Sequence, residues 1–339
     1  MTDENKKTMS RRTVLKTPLA ATVGAAVLAG AREVQGVKPP ELQAGDNSMP
    51  YGMIGDRKVS RLILGSNTPG AHSRDLIYAS QLGRAYNTKA RMLDTYELAE
   101  SQGINTILQG SASLIREYNT KRGGKLRKIQ PVNITKNDST EKIKKTLTAA
   151  MKSDVAALFY IMGDRGDYLA RAKRMDLVGV SMEIAKSLGM TLGLGGHSLQ
   201  IVTECQNSGV TPHFYVKTFH HDNYWSATPK ANREPFCWYD SKGGNSYSGK
   251  TGDHDRFHDN IWCLDAEKTI EAMQKVKVPW IAFKVLAAGA ISPTSGFKFA
   301  FNGGADFVAV GMCDFHVKTN VHILKGLFVR GIDRNRSWA

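Results

Sequence analysis

Four cysteines are spread over 339 residues, at positions 205, 237, 263 and 313, and no two form a CxxC pair. That spacing excludes zinc-ribbon and thioredoxin-like motifs, whose chemistry needs closely paired thiolates. GxGxxG, GxSxG and HExxH are also missing. Their absence removes the dinucleotide fingerprint, the strained serine elbow and the zincin helix. The longest uncharged N-terminal stretch is short and rich in alanine and glycine, a poor membrane span against the roughly 18 residues such a helix needs. What remains is ordinary: 41% of residues are hydrophobic and 23% charged, a globular mixture long enough for one large α/β domain.

The first 31 residues read as a leader. MTDENKKTMSRRTVLK is polar and carries Arg11 and Arg12, and TPLAATVGAAVLAGA follows without a charge, ending in Ala29-Gly30-Ala31. A charged head, a short apolar stretch and a small-residue end form the layout of a bacterial export signal. SRRTVLK resembles the twin-arginine (Tat) signal, with Val14 where a Phe is more usual; an uncleaved membrane anchor is the other reading. The resemblance implies folding in the reducing cytoplasm, often around a cofactor. Passage through the Tat translocase to the periplasm or cell envelope would follow. A Cys237–Cys263 disulfide would close one loop, but a protein folded before export does not depend on it. Residues 32–50, with Pro39, Pro40 and Pro50, read as a linker and 51–339 as one domain.

The formal charge is +15; the leader carries five basic and two acidic residues, which leaves +12 on the rest. Apart from Lys121-Arg122 and the run Lys125 to Lys128, the basic residues are scattered rather than striped. A solvated basic surface follows, with sugar-like or anionic small molecules as partners and no nucleic acid expected.

Beyond the linker, β-rich runs alternate with amphipathic segments. The runs are 59–65, 104–110, 128–134, 155–161, 191–197, 213–219, 279–286 and 307–312. Most are continuously apolar, the mark of parallel strands buried on both faces. Helices are expected over 87–103, closed by Gly103, and over 139–152, opened by Ser139. Four more are expected over 177–190, 198–209, 265–277 and 321–331. Eight strand–helix repeats predict a (β/α)8 barrel rather than a doubly wound sheet. A long segment after strand 6, from about 219 to 264, is aromatic enough to be an ordered lid.

In such a barrel the reacting groups stand at the C-terminal strand ends. Lys217 and Lys284 occupy matching places in two consecutive apolar strands, where a lysine either points into the mouth or is a costly buried charge. Adjacent amines depress each other's pKa, which makes one of them a nucleophile toward carbonyls. The other reading has both lysines reaching solvent or pairing with carboxylates such as Asp314 or Asp164. His197 ends strand 5 after Gly193, Gly195 and Gly196, glycines that would let a ligand approach the backbone. His220 and His221 follow strand 6. Lys217, Lys284, His197 and His220 are the candidate catalytic set. His221, Asp222, Tyr224, Trp225, Trp238, Tyr239, Asn67 and Asp314 are candidate substrate contacts. A divalent metal would draw on His197, His220 and Asp222, with His254 and His258 in the lid as further donors; hydrogen-bonding or acid–base histidines are the simpler reading. The glycines of NGGADFVAVG stand at the wrong end of strand 8 for a phosphate cradle, except Gly311.

Two resemblances follow from these residues. The lysine pair in VKT and AFKVL resembles class I aldolases of the deoxyribose-phosphate aldolase type, which implies a Schiff-base lysine on strand 6 with a helper on strand 7. KVSRLILGSNTPG, ELAESQGINTI, GLGGHS and AFKVLAAGAI resemble the aldo/keto reductase barrel over most of residues 50–339. That resemblance implies NADPH-dependent carbonyl reduction by an Asp, Tyr, Lys and His tetrad. The four roles fall on Leu108, on Ser113, within Pro131-Val132-Asn133-Ile134 and near Met162, none of which can perform them. NADP is therefore less expected than proton-transfer chemistry: lysine- and histidine-assisted lysis or isomerisation of a small carbonyl or sugar-derived compound. An NADP-dependent reductase with a relocated acid and a non-catalytic carbohydrate-binding envelope protein are the alternatives.

Overall fold

A computed structural model describes residues 48–65, 77–233 and 262–339. The leader, most of the linker, Asn67, Cys237, Trp238, Tyr239, His254 and His258 lie outside the described residues. Eight parallel strands close into a barrel: β3 (Leu62–Gly65), β4 (Thr106–Leu108), β5 (Arg127–Val132), β6 (Ala156–Ile161), β7 (Leu192–Gly196), β8 (Tyr215–Thr218), β9 (Trp280–Phe283) and β10 (Phe307–Gly311), with β10 returning to β3. Each falls inside one of the eight apolar runs except β5, which begins one residue before its run. Alternate residues fill two cores. Ile63, Leu108, Ile129, Leu158, Tyr160, Phe214, Val216, Ile281 and Phe307 pack inside the barrel. Leu64, Ile107, Phe159, Leu192, Leu194, Trp280 and Val308 face the helices. Burial on both faces is why the strands read as unbroken apolar runs.

The run 59–65 is not one strand. An antiparallel hairpin, β1 (Tyr51–Ile54) with β2 (Arg57–Ser60), precedes β3 and sends Ile54 and Val59 into the inner core. The chain turns at Arg61, which is buried, donates to Asp306 O at 2.9 Å and lies over the rings of Phe307 and Trp338. At the same end the C-terminal residues strap the barrel. Arg336 and Arg334 meet the fully buried Asp306 at 2.8 and 3.2 Å, and Trp338 stacks beneath the Arg334 guanidinium. Cations that donate to one carboxylate and to backbone carbonyls satisfy what would otherwise be a buried charge.

The helices of the described residues are α1 (Ile77–Tyr86), α2 (Lys89–Ser101), α3 (Ala112–Arg122), α4 (Thr140–Ala150), α5 (Gly163–Arg171), α6 (Met175–Ser187), α7 (Gln200–Ser208), α8 (Ala266–Gln274), α9 (Pro293–Asn302) and α10 (Asp314–Arg330). Ser139 caps α4 through Lys142 N, and Gly103 stands just past α2 with φ +93°, as expected of a helix stop. Helices α1, α3, α5 and α9 were not expected, and α10 begins seven residues before the anticipated start. Among the described residues no helix is long and apolar enough to cross a membrane.

The extra helix α5 matters most for the mouth. It follows β6 directly and lies against β7 at Gly166, where a Cβ would stand 1.8 Å from Gly195 O. Only glycine permits that approach, so Gly166 sets the depth of α5 and of Asp167 beside it. The glycines of β7 serve packing rather than ligand access. A Cβ on Gly193 would meet the Phe214 ring at 2.7 Å, and one on Gly195 the Tyr160 ring at 2.9 Å. Those two aromatic residues fill the barrel in their place.

Candidate active site

His197 leaves the end of β7 and Asp167 comes down from α5. The imidazole Nδ1 is 2.8 Å from Asp167 Oδ2, and Asp167 also accepts from His197 N and Ser198 N. Both side chains are buried. Three donors hold the carboxylate in one orientation, and the carboxylate holds the proton on Nδ1, which leaves the lone pair on Nε2. Burial pushes the His197 pKa down; the Asp167 contact opposes that shift, and the charges of Lys284 and Lys217 add to it. The ring meets Phe283 edge-on at 5.3 Å and covers Gly163. Asp167 was not among the expected residues. No spacing in GDRGDYLAR marks it, and only the approach of α5 to β7 does.

The rest of the mouth carries polar and aromatic side chains. Tyr160 rises from β6 and its hydroxyl takes a hydrogen bond from Gln109 Nε2 at the end of β4. Burial raises the Tyr160 pKa. Gln109 has φ +67°, left-handed backbone that costs a non-glycine residue roughly 1 kcal/mol. Asp164, in the first turn of α5, is buried and turned back on Arg165 N. Lys284 follows β9 with φ +59°, its ammonium 4.4 Å from the centre of the Trp262 ring.

The lysines are not side by side. Lys217 registers with Ala282, and Lys284 lies two residues further, past the strand end. Lys217 is fully buried and donates to His197 O at 2.7 Å, to Thr218 O at 2.8 Å and to Thr218 Oγ1 at 3.1 Å. All three ammonium protons are thereby engaged. The expectation of a nucleophilic Lys217 tuned by an adjacent Lys284 meets a geometry built for holding strand ends. Thr218 Oγ1 extends the network to Trp262 O at 3.1 Å.

His220 is equally committed. Its Nδ1 donates to His221 O at 2.8 Å, and its Nε2 accepts from Trp262 N at 3.2 Å and Cys263 N at 3.1 Å. It fastens the return of the long segment to its departure, and neither nitrogen remains for a metal or a proton transfer. Arg233 does the same nearby, bonding Asp222 at 2.8 Å, Thr228 O and Leu264 O. His221 contacts Ser295 Oγ at 2.9 Å, and Tyr224 packs with Trp262, Ala287 and Ile291. Trp225 is 81% exposed. Asp314 lies apart from His197, at the start of α10, held by Tyr86 and Arg91 at 2.6 and 3.1 Å.

The metal set His197, His220 and Asp222 therefore does not come together; among the described residues no group of three or more metal-binding side chains does. Cys205, Cys263 and Cys313 are free and buried, and the Cys237 end of the expected bridge lies outside the described residues. The run Gly244 to Thr251 (GNSYSGKT) spells a phosphate-loop pattern that has meaning only between a strand and a helix. It lies outside the described residues.

A cavity of about 280 Å³ opens beside the mouth, between the ends of β3, β4 and β10 and the start of α2. Asn87, Thr95, Gln109 and Ser111 supply its polar side chains, and Leu64, Met92, Tyr96 and Met312 its apolar wall.

The eight parallel strands and the helices around them define a (β/α)8 barrel. A Pseudomonas aeruginosa protein described as a candidate aldo-keto reductase superposes with a TM-score of 0.52 at 17% identity, over 81% of this chain and 94% of that one. A second structure, again a candidate aldo-keto reductase from Pseudomonas aeruginosa, gives 0.49 at 16% identity with the same coverage. At such identity the likeness is one of fold. No protein-family model matches the chain, and no curated protein does.

Proposed function

We propose that the chain is an exported acid–base enzyme. It would transfer a proton on a small carbonyl or sugar-derived compound, in a lyase or isomerase reaction, with His197 as the proton-transferring group. The observation that carries this reading is the 2.8 Å contact between His197 Nδ1 and a buried Asp167 that accepts three hydrogen bonds. An imidazole kept neutral by burial, with its Nδ1 proton pinned, presents Nε2 as a base. Abstraction of a proton next to a carbonyl leaves an enolate and an imidazolium. Asp167 stabilises the imidazolium, and the Lys284 cation at the same mouth favours the enolate. Lys217 acts through position: its bond to His197 O fixes the residue that carries the base.

The aldo/keto reductase-like barrel favours a second reading, nicotinamide-dependent carbonyl reduction. The residues do not fit that chemistry. Leu108 is buried inside the barrel and Ser113 is exposed on α3, where the resemblance would need an Asp and a Tyr. Tyr160 is a poor replacement acid because burial raises its pKa.

The test is deuterium exchange by NMR at the carbon next to the carbonyl, over a panel of small ketoses in D2O. Exchange by the wild type should fall on the order of 10²–10⁴-fold in His197→Gln and Asp167→Asn. Unchanged exchange in both variants, or exchange that requires added NADPH, would refute the assignment.

A further inference from the structure

The cavity under Asn87 and Gln109 stands across the barrel from His197: in the closed order of strands, β3 and β7 are four apart. The acid–base reading leaves it without a role. Among the described residues no charged side chain lines it. These lining residues offer an anion such as a phosphate no cation, and a cation no carboxylate. Of the described charges adjoining lining residues along the chain, Arg91 and Asp314 neutralise each other at 3.1 Å, and Asp94 and Glu97 meet Arg122 at 2.8 and 2.7 Å. The lining is also too polar for a hydrocarbon, with two amides and two hydroxyls facing an apolar wall.

Size narrows the choice further. About 280 Å³ is at the lower end of the roughly 300–1,000 Å³ typical of small-molecule sites, so a dinucleotide does not fit and a single ring does. A ring whose hydroxyls meet amides while its C–H faces meet Leu64, Met92 and Met312 matches this lining. The backbone adds a second pointer. Gln109 and Gly110 are consecutive left-handed residues, φ +67° and +70°. That conformation is unfavourable for Gln109, and it holds the residue in the cavity wall while its amide reaches Tyr160.

We propose that this cavity is a binding site for a small, uncharged, hydroxylated molecule the size of one sugar ring, with Gln109 and Asn87 as the recognising groups. The experiment titrates the full chain with D-glucose, D-galactose and myo-inositol, and with D-glucose 6-phosphate as the anionic probe, by saturation-transfer NMR and calorimetry. At least one neutral probe should bind and displace none of the protein's own groups. Gln109→Leu should weaken it at least tenfold, and Met92→Trp, which fills the cavity from α2, should abolish it. Both variants should unfold at temperatures close to the wild type. His197→Gln should bind the probe as the wild type does, which keeps this site separable from the acid–base reading. Four results would overturn the proposal: no neutral probe binds the folded wild type; both cavity variants bind unchanged; the phosphate binds more tightly than glucose; or His197→Gln alone loses binding.

Discussion

Acidification offers a direct measure of how firmly the long segment after β8 is fastened. His220 is fully buried and uses both ring nitrogens, donating to His221 O and accepting from Trp262 N and Cys263 N. Burial pushes its pKa down to about 4, against 6.5 for an ordinary histidine. The folded state therefore resists a proton that the unfolded chain accepts. Stability is complete above pH 6.5 and falls as the pH drops from 6.5 toward 4, where the folded form itself titrates. Each pH unit in that window costs about 1.4 kcal/mol, so the whole interval costs about 3 kcal/mol from this residue. Burial lowers the pKa of His197 as well, which steepens the total in the same direction. The contribution of His220 is isolated by urea unfolding of the wild type and of His220→Gln at intervals between pH 7 and pH 4.5. The variant should start less stable, because it cannot donate to His221 O and accept both amides together, and should then lose less with acid. Parallel curves for the two proteins would show that His220 does not carry the acid lability and would refute the burial argument.

Two further perturbations address the mouth. Gly166→Ala places a Cβ against Gly195 O and should destabilise by about 3 kcal/mol while separating Asp167 from His197, read by thermal unfolding and by loss of the His197 Nδ1–H NMR signal. Gly179→Ala on α6 is the matched control: its Cβ would meet Val210 at an ordinary 3.4 Å, and the change should stabilise by about 0.5–1 kcal/mol. Lys217→Met removes the donor to His197 O and Thr218 O and should cost about 2–3 kcal/mol in urea unfolding. A Lys217→Met protein as stable as the wild type that nonetheless loses all proton exchange would restore Lys217 as the reacting amine.

The barrel was legible in the sequence because its strands are buried on both faces, and that burial writes unbroken apolar runs such as VAALFYI and FVAVGM. Strand ends were less legible. The run VSRLILG hides a break at Arg61, a residue whose buried place depends on Asp306, Phe307 and Trp338 far along the chain. Helix α5 escaped notice for a related reason. Its buried face consists of Gly163, Asp164, Gly166 and Asp167 as well as Leu169 and Ala170, so it carries no simple apolar stripe. Asp167 on that face is the residue that meets His197 Nδ1.

The candidate residues divided along the same line. His197 could be read from its position at the end of a strand. The difference between Lys217 and Lys284 could not, because both look alike as lysines in apolar runs. Register and the last rotations of the chain separate them: Lys217 folds onto the carbonyls of His197 and Thr218, while a left-handed turn sends Lys284 over Trp262. By itself the sequence determined the eightfold barrel and the end at which its chemistry would stand, since apolar periodicity and strand direction are local properties. Which carboxylate meets His197, which lysine is spent on the backbone and which histidine ties the long segment's ends were decided by tertiary structure alone. Hydrogen-bond partners 30 or 40 residues apart leave no mark on local composition.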